Sequence, residues 1–175
     1  MVLFGTLIMR AQVLMYKQDD PKKCTAAKLV KFQLAKPVSK TDSNTIVLDP
    51  FAKQTLLYHD SKIANSITGI DCSWNLADLT FKKRFAGILR KLPPLLAGNP
   101  VNYAKFGKLT TVEAIAGAAF ILRFDSFALE LLSKFSWGHT FYELNADLLR
   151  DYSQLELEEQ ITPLLKEYGI VQNID

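Results

Sequence analysis

Short apolar runs with β-forming side chains alternate with polar loops through the first part of the chain. Three of these runs are rich in β-branched or large apolar residues and predict strands: residues 12–16, 45–48 and 55–59. Between the first two, apolar positions recur among lysines over residues 25–34, and Thr25 is a suitable N-cap, so a short helix is predicted there. A further strand is predicted to end at the acidic residue Asp71. This order of elements predicts an α/β unit with a parallel sheet.

After about residue 80 the spacing of apolar residues becomes helical. Five helices are predicted, at residues 79–92, 110–122, 126–135, 140–152 and 155–168. The second is apolar on nearly all sides, which predicts a buried helix, and Thr110 with Glu113 three residues later predicts a capping box at its start. Gly138 and Gly169 are predicted to end the third and the fifth helix. Two domains are therefore predicted: an α/β parallel-sheet domain over residues 1–91 and an all-helical domain over residues 92–175.

The overall composition is that of an ordinary globular chain. Of 175 residues, 49% are apolar and 22% are charged, which is enough apolar surface for a substantial core. No run of about eighteen apolar residues occurs, and the apolar opening lacks basic residues and a cleavage site, so neither a membrane span nor a signal peptide is predicted. The two cysteines, Cys24 and Cys72, and the two histidines form no zinc or iron–sulfur spacing. We therefore expect a cytoplasmic chain without a metal.

The net charge of +3 conceals a strong asymmetry along the chain. Residues 1–110 contain 17 Lys and Arg against 7 Asp and Glu, a net charge of +10, whereas residues 111–175 contain 4 against 11, a net charge of −7. A strongly basic half suits a phosphate backbone, and the alternative is a dipolar protein without a polyanionic partner. Charge alone leaves both interpretations open.

Two segments place polar groups where α/β proteins bind ligands. In residues 20–28 several lysines surround the predicted start of a helix, where unpaired amides favour an anion; the alternative is a solvated lysine-rich loop. In residues 70–74, Asp71 and Trp74 follow a predicted strand, at the carboxyl edge where open sheets bind ligands. The alternative there is a capped turn with a tryptophan in the core.

Two further segments are less specific. Residues 92–103 combine prolines, a glycine and two asparagines in a rigid loop whose main chain would fit around a nucleoside, although turns alone also account for it. Phe135 and Trp137 are expected to pack between helices rather than to stack on a base. The chain contains no P-loop, dinucleotide-binding or nucleophile-elbow motif. No Cys/His pair has the spacing of a nucleophile and its base either, so the hallmarks of covalent catalysis are absent.

Six short runs, taken in order, resemble the S-adenosylmethionine-dependent aminocarboxypropyltransferases that modify small-subunit ribosomal RNA in archaea and eukaryotes. The runs are DPKKCT at 20–25, DCSW at 71–74, LPPLLAGNPVNY at 92–103, LTTVEA at 109–114, ALELLSKFSWG at 128–138 and FYELNADLL at 141–149. The resemblance spans residues 11 to about 152. Each run alone is weak, but six in the same order are specific.

The resemblance implies a SPOUT-like fold with a deep trefoil knot, whose loop belongs to the helical domain, and a site for S-adenosyl-L-methionine. It implies cofactor contacts, largely through main-chain groups, at Thr25, Ile70, Leu92, Gly107 and Thr111. Trp74 is implied to pack along the methionine portion, and Asp71 is the implied catalytic base. No metal is implied.

The implied activity is transfer of the 3-amino-3-carboxypropyl group to N3 of a pseudouridine, or of 1-methylpseudouridine, in small-subunit ribosomal RNA during ribosome biogenesis. The basic residues expected to hold the RNA are Lys23, Lys28, Lys31 and Arg90. The resemblance also implies a monomer with its site complete in one chain. Two alternatives stay open: a SPOUT-type RNA methyltransferase with the same cofactor, and a ribosome-assembly factor that binds RNA without catalysis.

The chain departs from the family pattern in three places. The family usually has glycine where this chain has Ala26 and alanine where it has Gly98. It also has Gly-x-Pro-aromatic where this chain has residues 104–107, Ala-Lys-Phe-Gly. A main-chain contact tolerates a change of side chain, so Gly107 is still expected to contact the cofactor. Phe106 is the residue expected to replace the family's aromatic side chain over the adenine.

Overall fold

The fold is described by a computed structural model of residues 8–18 and 20–170, without the side chain of Trp74. The strands are β1 (Arg10–Met15), β2 (Ala35–Pro37), β3 (Thr45–Leu48), β4 (Ser66–Asp71) and β5 (Ile88–Arg90). The α-helices are α1 (Thr25–Lys31), α2 (Ala77–Phe81), α3 (Thr111–Ile121), α4 (Asp125–Leu132), α5 (Gly138–Tyr152) and α6 (Ile161–Glu167). Short 3-10 helices cover Tyr58–Lys62, Trp74–Leu76 and Glu158–Gln160.

The strands form one parallel sheet in the order β2-β1-β4-β3-β5. The longest pairing joins β1 to β4 and runs from Arg10 opposite Ser66 to Met15 opposite Asp71. The parallel sheet predicted for the first part of the chain is therefore confirmed. Because the strands are parallel, their carboxyl ends lie at one edge, and the segments that leave β3, β4 and β5 start there together.

The middle of the sheet is buried although it contains hydroxyl side chains. Every residue of β3 and the first four residues of β4 are buried. The hydroxyl oxygens of Thr45 and Thr68 lie 2.7 Å apart, and the Thr68 hydroxyl donates to Gln12 Oε1 at 3.1 Å. These bonds satisfy polar groups that would otherwise be costly to bury.

Helix α3 crosses the sheet next to β4 and is buried along most of its length, as its apolar sequence predicts. The approach is close, since a Cβ added at Gly69 would lie 2.8 Å from Thr111 Cγ2. The predicted capping box is confirmed: the Thr110 side chain accepts from the Glu113 amide, and the Glu113 carboxylate accepts from the Thr110 amide. The start of α3 is thereby fixed beside the carboxyl end of β4.

One cluster of buried apolar residues joins the two predicted domains. It includes Val13, Ile46 and Ile67 of the sheet together with Ile115 of α3 and Phe141 of α5. The boundary between residues 91 and 92 stays a prediction about the chain, but the core is continuous across it. Among the described residues, no helix has the length and apolarity needed to cross a membrane.

The predicted strand at residues 55–59 is wrong beyond its first residue. Thr55 makes an isolated bridge with Lys91, but a 3-10 helix begins at Tyr58. The cause is Asp60, whose carboxylate accepts from the Leu57 amide at 3.0 Å and bends the chain there.

The predicted helix at residues 79–92 is also wrong. Only α2 is helical, ending at Phe81, and the chain then turns so that β5 pairs with β3. Gly87 makes this turn with a φ of 115°, and a Cβ added there would lie 2.7 Å from the Thr45 carbonyl oxygen. A contact with a distant strand decides the conformation, and residue spacing does not reveal it.

Other boundaries shift by a few residues. Helix α1 ends at Lys31, three residues before its predicted end. Gly138 begins α5 instead of only closing the preceding helix. The predicted helix 155–168 divides into a 3-10 helix and α6, with Pro163 in the first turn of α6, and ends at Gly169 as predicted, with a φ of 69°. Strand β2 was not predicted.

Candidate active site

A cavity of about 500 Å³ lies at the carboxyl edge of the sheet. Its walls come from the ends of β3 and β4, from the segment after β5 and from the start of α3. Four residues predicted to contact a cofactor line it together: Ile70, Leu92, Gly107 and Thr111. These four positions are separated along the chain, and the parallel sheet with α3 brings them to one place.

Asp71 lies beside this cavity as the last residue of β4. Its Oδ1 accepts from the Thr111 hydroxyl at 3.0 Å and its Oδ2 accepts from the Cys24 thiol at 3.2 Å. The carboxylate is half-buried, and its two oxygens are each oriented by a donor from a different helix terminus. Asp71 itself is not among the residues that line the cavity; Thr111 connects the two.

The Cys24 thiol is a protonated donor in this arrangement. Burial, followed by the hydrogen bond and charge of Asp71, raises the pKa of Cys24 above its ordinary value of 9.0. The sulfur also accepts from the Ala27 amide at 3.3 Å and so caps α1. The expected helix start is therefore present, with Cys24 as the cap where Thr25 was predicted.

Thr25 has a structural contact that the sequence did not indicate. It is buried, and its hydroxyl oxygen accepts from the Val112 amide at 3.2 Å, which joins the first turns of α1 and α3. It does not line the cavity within the described part of the chain. The predicted contact of the Trp74 side chain lies outside the described residues, although Ala77, at the start of α2, is part of the cavity wall.

Residues 95–107 form a narrow loop that closes one side of the cavity. The Ala97 amide donates to the Lys105 carbonyl at 2.9 Å, and the Gly107 amide donates to the Leu95 carbonyl at 3.1 Å. Ala104 and Gly107 have left-handed backbones, with φ of 59° and 71°. Phe106 lines the cavity and is 44% exposed. Residues 104–107 are where the chain departs from the family pattern. Phe106 and Gly107, the two residues expected to contact the cofactor there, both line the cavity.

Helix α5 holds the other side of this loop with residues spaced along one face. The Tyr152 hydroxyl donates to the Pro94 carbonyl at 2.8 Å. Asn145 is fully buried, accepts from the Leu96 amide at 2.7 Å and donates to the Leu96 carbonyl at 2.8 Å. Gly98 lies directly against the backbone of Phe141, so that an added Cβ would be 2.6 Å from its Cα.

Glu113 connects the loop to the start of α3. It is fully buried, and its Oε1 accepts from the amides of Gly98 and Asn99 at 2.7 and 3.0 Å. Its Oε2 accepts from the Asn99 side chain and from the amide and hydroxyl of Thr110. The sequence indicated Glu113 only as a capping residue, because its contacts with the loop depend on the tertiary fold.

Two other carboxylates line the cavity and were not predicted. Asp49 directly follows β3 and is buried, which raises the pKa of its carboxyl, and its Oδ1 accepts from the Phe51 amide at 2.8 Å. Glu158 accepts from the amide and hydroxyl of Thr55 at 3.2 and 2.7 Å. Asp49 was detectable as an acid after a predicted strand, whereas nothing in the sequence connects Glu158 to residue 55.

Lys23, Lys28 and Lys31 are exposed on α1 and on the turn before it. Lys134, from the acidic half, extends the same surface, with its Nζ 5.8 Å from the centre of the Phe32 ring. Arg90 is different: its guanidinium forms two 3.0 Å bonds with the buried Asp60 carboxylate, and its Nη1 donates to the Leu89 carbonyl. Its placement is that of a structural ion pair and gives no support to an RNA contact.

The remaining sequence predictions concern aromatic residues and metals. Phe135 is buried and Trp137 packs on it, with ring centres 5.3 Å apart, so packing is the interpretation that the structure supports. No group of three or more His, Cys, Asp or Glu residues in the described ranges is arranged to hold a metal ion.

Two family models match the chain. The model described as "Ribosome biogenesis protein, C-terminal" matches residues 46–169. The model described as "Possible Fer4-like domain in RNase L inhibitor, RLI" matches residues 9–42. That segment contains a single cysteine, Cys24, whereas an iron–sulfur cluster takes four cysteine ligands. The second description therefore does not extend to cluster binding here.

Curated relatives and a solved structure are similar over most of their lengths. A 16S rRNA aminocarboxypropyltransferase of Methanococcoides burtonii is 43% identical over 157 residues, which cover 87% of this chain and 90% of that protein. Its counterpart in Methanobrevibacter smithii is 38% identical and covers 91% and 97%. The structure of the SAM-dependent rRNA:acp-transferase Tsr3 from Vulcanisaeta distributa has a TM-score of 0.82 and 36% identity, and covers 92% of this chain and 89% of that one.

Proposed function

Because this chain belongs to the 16S rRNA aminocarboxypropyltransferase family, we propose that it transfers the 3-amino-3-carboxypropyl group of S-adenosyl-L-methionine to small-subunit ribosomal RNA. One observation carries the proposal. Ile70, Leu92, Gly107 and Thr111 line a single cavity beside the carboxylate of Asp71. A shared cavity is what a cofactor held from three separate segments of the chain requires.

The cavity fits S-adenosyl-L-methionine in size and chemistry. About 500 Å³ is within the range of roughly 300–1,000 Å³ for small-molecule sites. Apolar residues such as Leu48, Leu95 and Phe81 form much of the wall, and Thr55, Thr110 and Thr111 are among the polar residues that line it. Thr25 does not line the cavity, and its hydroxyl already accepts from Val112, so the contact proposed for it is one through its main chain. Trp74 remains the proposed contact of the methionine portion.

The proposed reaction needs positioning and removal of one proton. The bond from the sulfonium sulfur to the γ-carbon breaks, and a bond from that carbon to N3 of pseudouridine or 1-methylpseudouridine forms. The sulfur keeps the electron pair and leaves as methylthioadenosine, while the N3 proton passes to Asp71 and then to water. Thr111 and Cys24 orient the Asp71 carboxylate for this step.

The RNA is proposed to lie on the basic half of the molecule. Lys23, Lys28 and Lys31 contact its phosphates, and Lys134 extends that surface. Arg90 is left out because Asp60 already binds its guanidinium. Since its proposed substrate is ribosomal RNA, the enzyme is expected in the cytoplasm. The family resemblance implies a monomer, and light scattering tests this.

We also propose that the chain forms a SPOUT-like deep trefoil knot with the segment after β5. The all-parallel sheet and the cavity between loops 92–110 and the start of α3 support it. A crystal structure whose backbone is traced for crossings tests it, and an unknotted path would contradict it.

The decisive experiment is a transfer assay on small-subunit RNA with two labelled forms of the cofactor. Label in the carboxyl group should reach RNA and label in the methyl group should not. Methyl transfer would instead indicate a methyltransferase, and no transfer with no affinity for the cofactor would indicate a non-catalytic RNA-binding factor.

The role of Asp71 has its own test. Asp71→Asn should lower transfer by about 100-fold or more, the usual contribution of a general base, while cofactor affinity measured by calorimetry stays within a few-fold. Full transfer by this variant with normal cofactor binding would show that Asp71 is not the base.

A further inference from the structure

Three phenylalanines form a row whose middle ring, Phe81, lines the cavity and whose outer rings lie outside it. The ring centres of Phe51 and Phe81 lie 5.9 Å apart, and those of Phe81 and Phe85 lie 6.1 Å apart. Phe81 lines the cavity, whereas Phe51 and Phe85 do not, and Phe51 is 57% exposed. The row therefore connects the cofactor cavity with solvent.

The core does not account for these rings. Helix α2, which ends at Phe81, buries only Ala77 and Thr80, and its Leu79 is 63% exposed. A comparable ring pair in the acidic half, Phe120 and Tyr142, is anchored by the 5% exposed Phe120. Contiguous exposed apolar surface of this kind commonly marks a binding site.

The surroundings of the row are basic. Lys82, Lys83 and Arg84 follow Phe81 directly and are exposed, and Lys53 lies two residues after Phe51 and is also exposed. Residues 79–91 contain no Asp or Glu, and the acids next to the row along the chain are the exposed Asp78 and the buried Asp49, whose Oδ1 accepts from the Phe51 amide. Lys83 also lies over the ring of Tyr16, with its Nζ 4.5 Å from the ring centre. Phe51 is exposed, and Phe81 and Phe85 are partly exposed. Accessible aromatic rings between cations suit single-stranded nucleic acid, whose bases stack and whose phosphates pair with the cations.

We propose that the Phe51–Phe81–Phe85 row is a stacking platform for the unpaired RNA bases that flank the acceptor nucleotide, with Lys82 and Arg84 holding their phosphates. This proposal rests on the proposed function, because it assumes that the acceptor base enters the adjacent cavity. An acceptor base must leave its stack to reach a cofactor, and stacking of its neighbours on the platform offsets part of that cost.

The test compares binding of unpaired RNA by the wild type and by variants at Phe51, with cofactor binding as the control for folding. Phe51→Ala should weaken binding of a single-stranded RNA about tenfold, by the same factor at every salt concentration, because stacking releases no counterions. Phe51→Trp should restore binding, since a flat ring remains. Phe85→Ala should repeat the effect of Phe51→Ala, and Tyr142→Leu, at the exposed ring of the distant pair, should leave binding unchanged.

The salt dependence of RNA binding separates the contribution of the charged side chains from that of the aromatic rings. Lys82→Ala combined with Arg84→Ala should lower the slope of log affinity against log salt by about 1.4, or about 0.7 per lost phosphate contact on a single strand. Unchanged RNA affinity in Phe51→Ala and Phe85→Ala would overturn the platform. An equal loss on a perfect duplex would overturn it too, because bases in a duplex are not available to stack.

Failure of the platform and failure of the proposed function give different results. If the wild type transfers carboxyl label to RNA and Phe51→Ala binds RNA normally, the platform alone is wrong. If the wild type transfers no label, the proposed function is wrong, and the platform as the flank of an acceptor site is overturned with it.

Discussion

At the scale of single residues, the Cys24 thiol gives the site a pH dependence that can be measured. Because the pKa of Cys24 is higher in the folded chain than its ordinary 9.0, its contribution to stability is complete below about pH 9 and is lost as pH rises through the folded value. Cys24→Ser keeps a donor to Asp71 that does not titrate there. We expect the wild type to lose more stability than Cys24→Ser as pH rises above about 9, measured by urea unfolding. Parallel losses in both proteins would contradict the assignment.

A second residue-scale prediction concerns Gly98. Its added Cβ would meet the backbone of Phe141, 2.6 Å from Cα, and backbone atoms of a buried helix do not move aside easily. Gly98→Ala should therefore cost about 3 kcal/mol, at the upper end of ordinary overpacking. Gly107→Ala is the matched control: it meets nothing within 4 Å, and only its φ of 71° makes it cost about 1 kcal/mol. Unfolding in denaturant measures both, and equal costs would show that α5 relaxes around the new methyl group.

The sequence pattern predicted where a residue lies in the fold when that residue ends a predicted strand or starts a predicted helix. Asp71 ends a predicted strand, so the pattern placed it at the carboxyl edge of the sheet, whereas Thr111 was expected at the site only from the family resemblance. The Cys24 contact with Asp71 joins residues 47 positions apart, and no local pattern reveals it. Gly98 is the opposite case: the family resemblance leads to the expectation of an alanine, whereas the contact with Phe141 in this chain requires glycine.

At the scale of elements, Glu113 joins α3 to the loop over the cavity and should control both stability and cofactor binding. Glu113→Gln replaces one acceptor oxygen with an amide that faces N–H donors from Gly98, Asn99 or Thr110. We expect a loss of about 3 kcal/mol, because buried donors are left without a partner. Cofactor affinity should fall as well, since Gly107 and Thr111 lie at the two ends of the segment that Glu113 fixes. Asp125→Asn, at the first turn of α4, is the control and should change neither quantity by more than a few tenths of a kcal/mol.

If Glu113→Gln lost stability but bound S-adenosyl-L-methionine as the wild type does, the loop would not need this anchor for cofactor binding. Calorimetric titration at a temperature where the variant is fully folded makes that comparison. The result separates a structural role from a positioning role.

Elements were predictable where local pattern and tertiary environment agree. The run at residues 45–48 is β3 without any shift, and α3 was predicted from its apolar sequence and capping box. Residues 79–92 failed because helix-forming side chains surround Gly87, where the approach to Thr45 forces a turn. The hydrogen bonds from α5 to the loop could not be predicted for the same reason. In the sequence Asn145 is only a polar position on a helix, and its contact with Leu96 depends on the tertiary fold.

At the scale of the whole molecule, the charge asymmetry was visible in the sequence, but its spatial form was not. The basic surface around α1 includes Lys134 from the acidic half, whereas Arg90 from the basic half is withdrawn into an ion pair with Asp60. Counting charges along the chain therefore identifies the basic half but not which of its cations lie together on one exposed surface. The deep trefoil knot stays a prediction: it concerns the whole chain path, and only the family resemblance implies it.

The charge asymmetry leads to a prediction about RNA binding. It distinguishes a specific RNA-binding surface around α1 from a general attraction of a basic protein to a polyanion. Lys28→Ala combined with Lys31→Ala should lower the slope of log affinity against log salt by about 1.5, because each lost phosphate contact removes about 0.7–0.9. Arg150→Gln combined with Lys166→Gln removes the same net charge from the acidic half and should leave the slope unchanged. Cofactor affinity should be normal in both double variants, since none of the four residues lines the cavity. If both pairs changed RNA binding equally, net charge alone would attract the RNA, and the surface around α1 would have no special part in binding it.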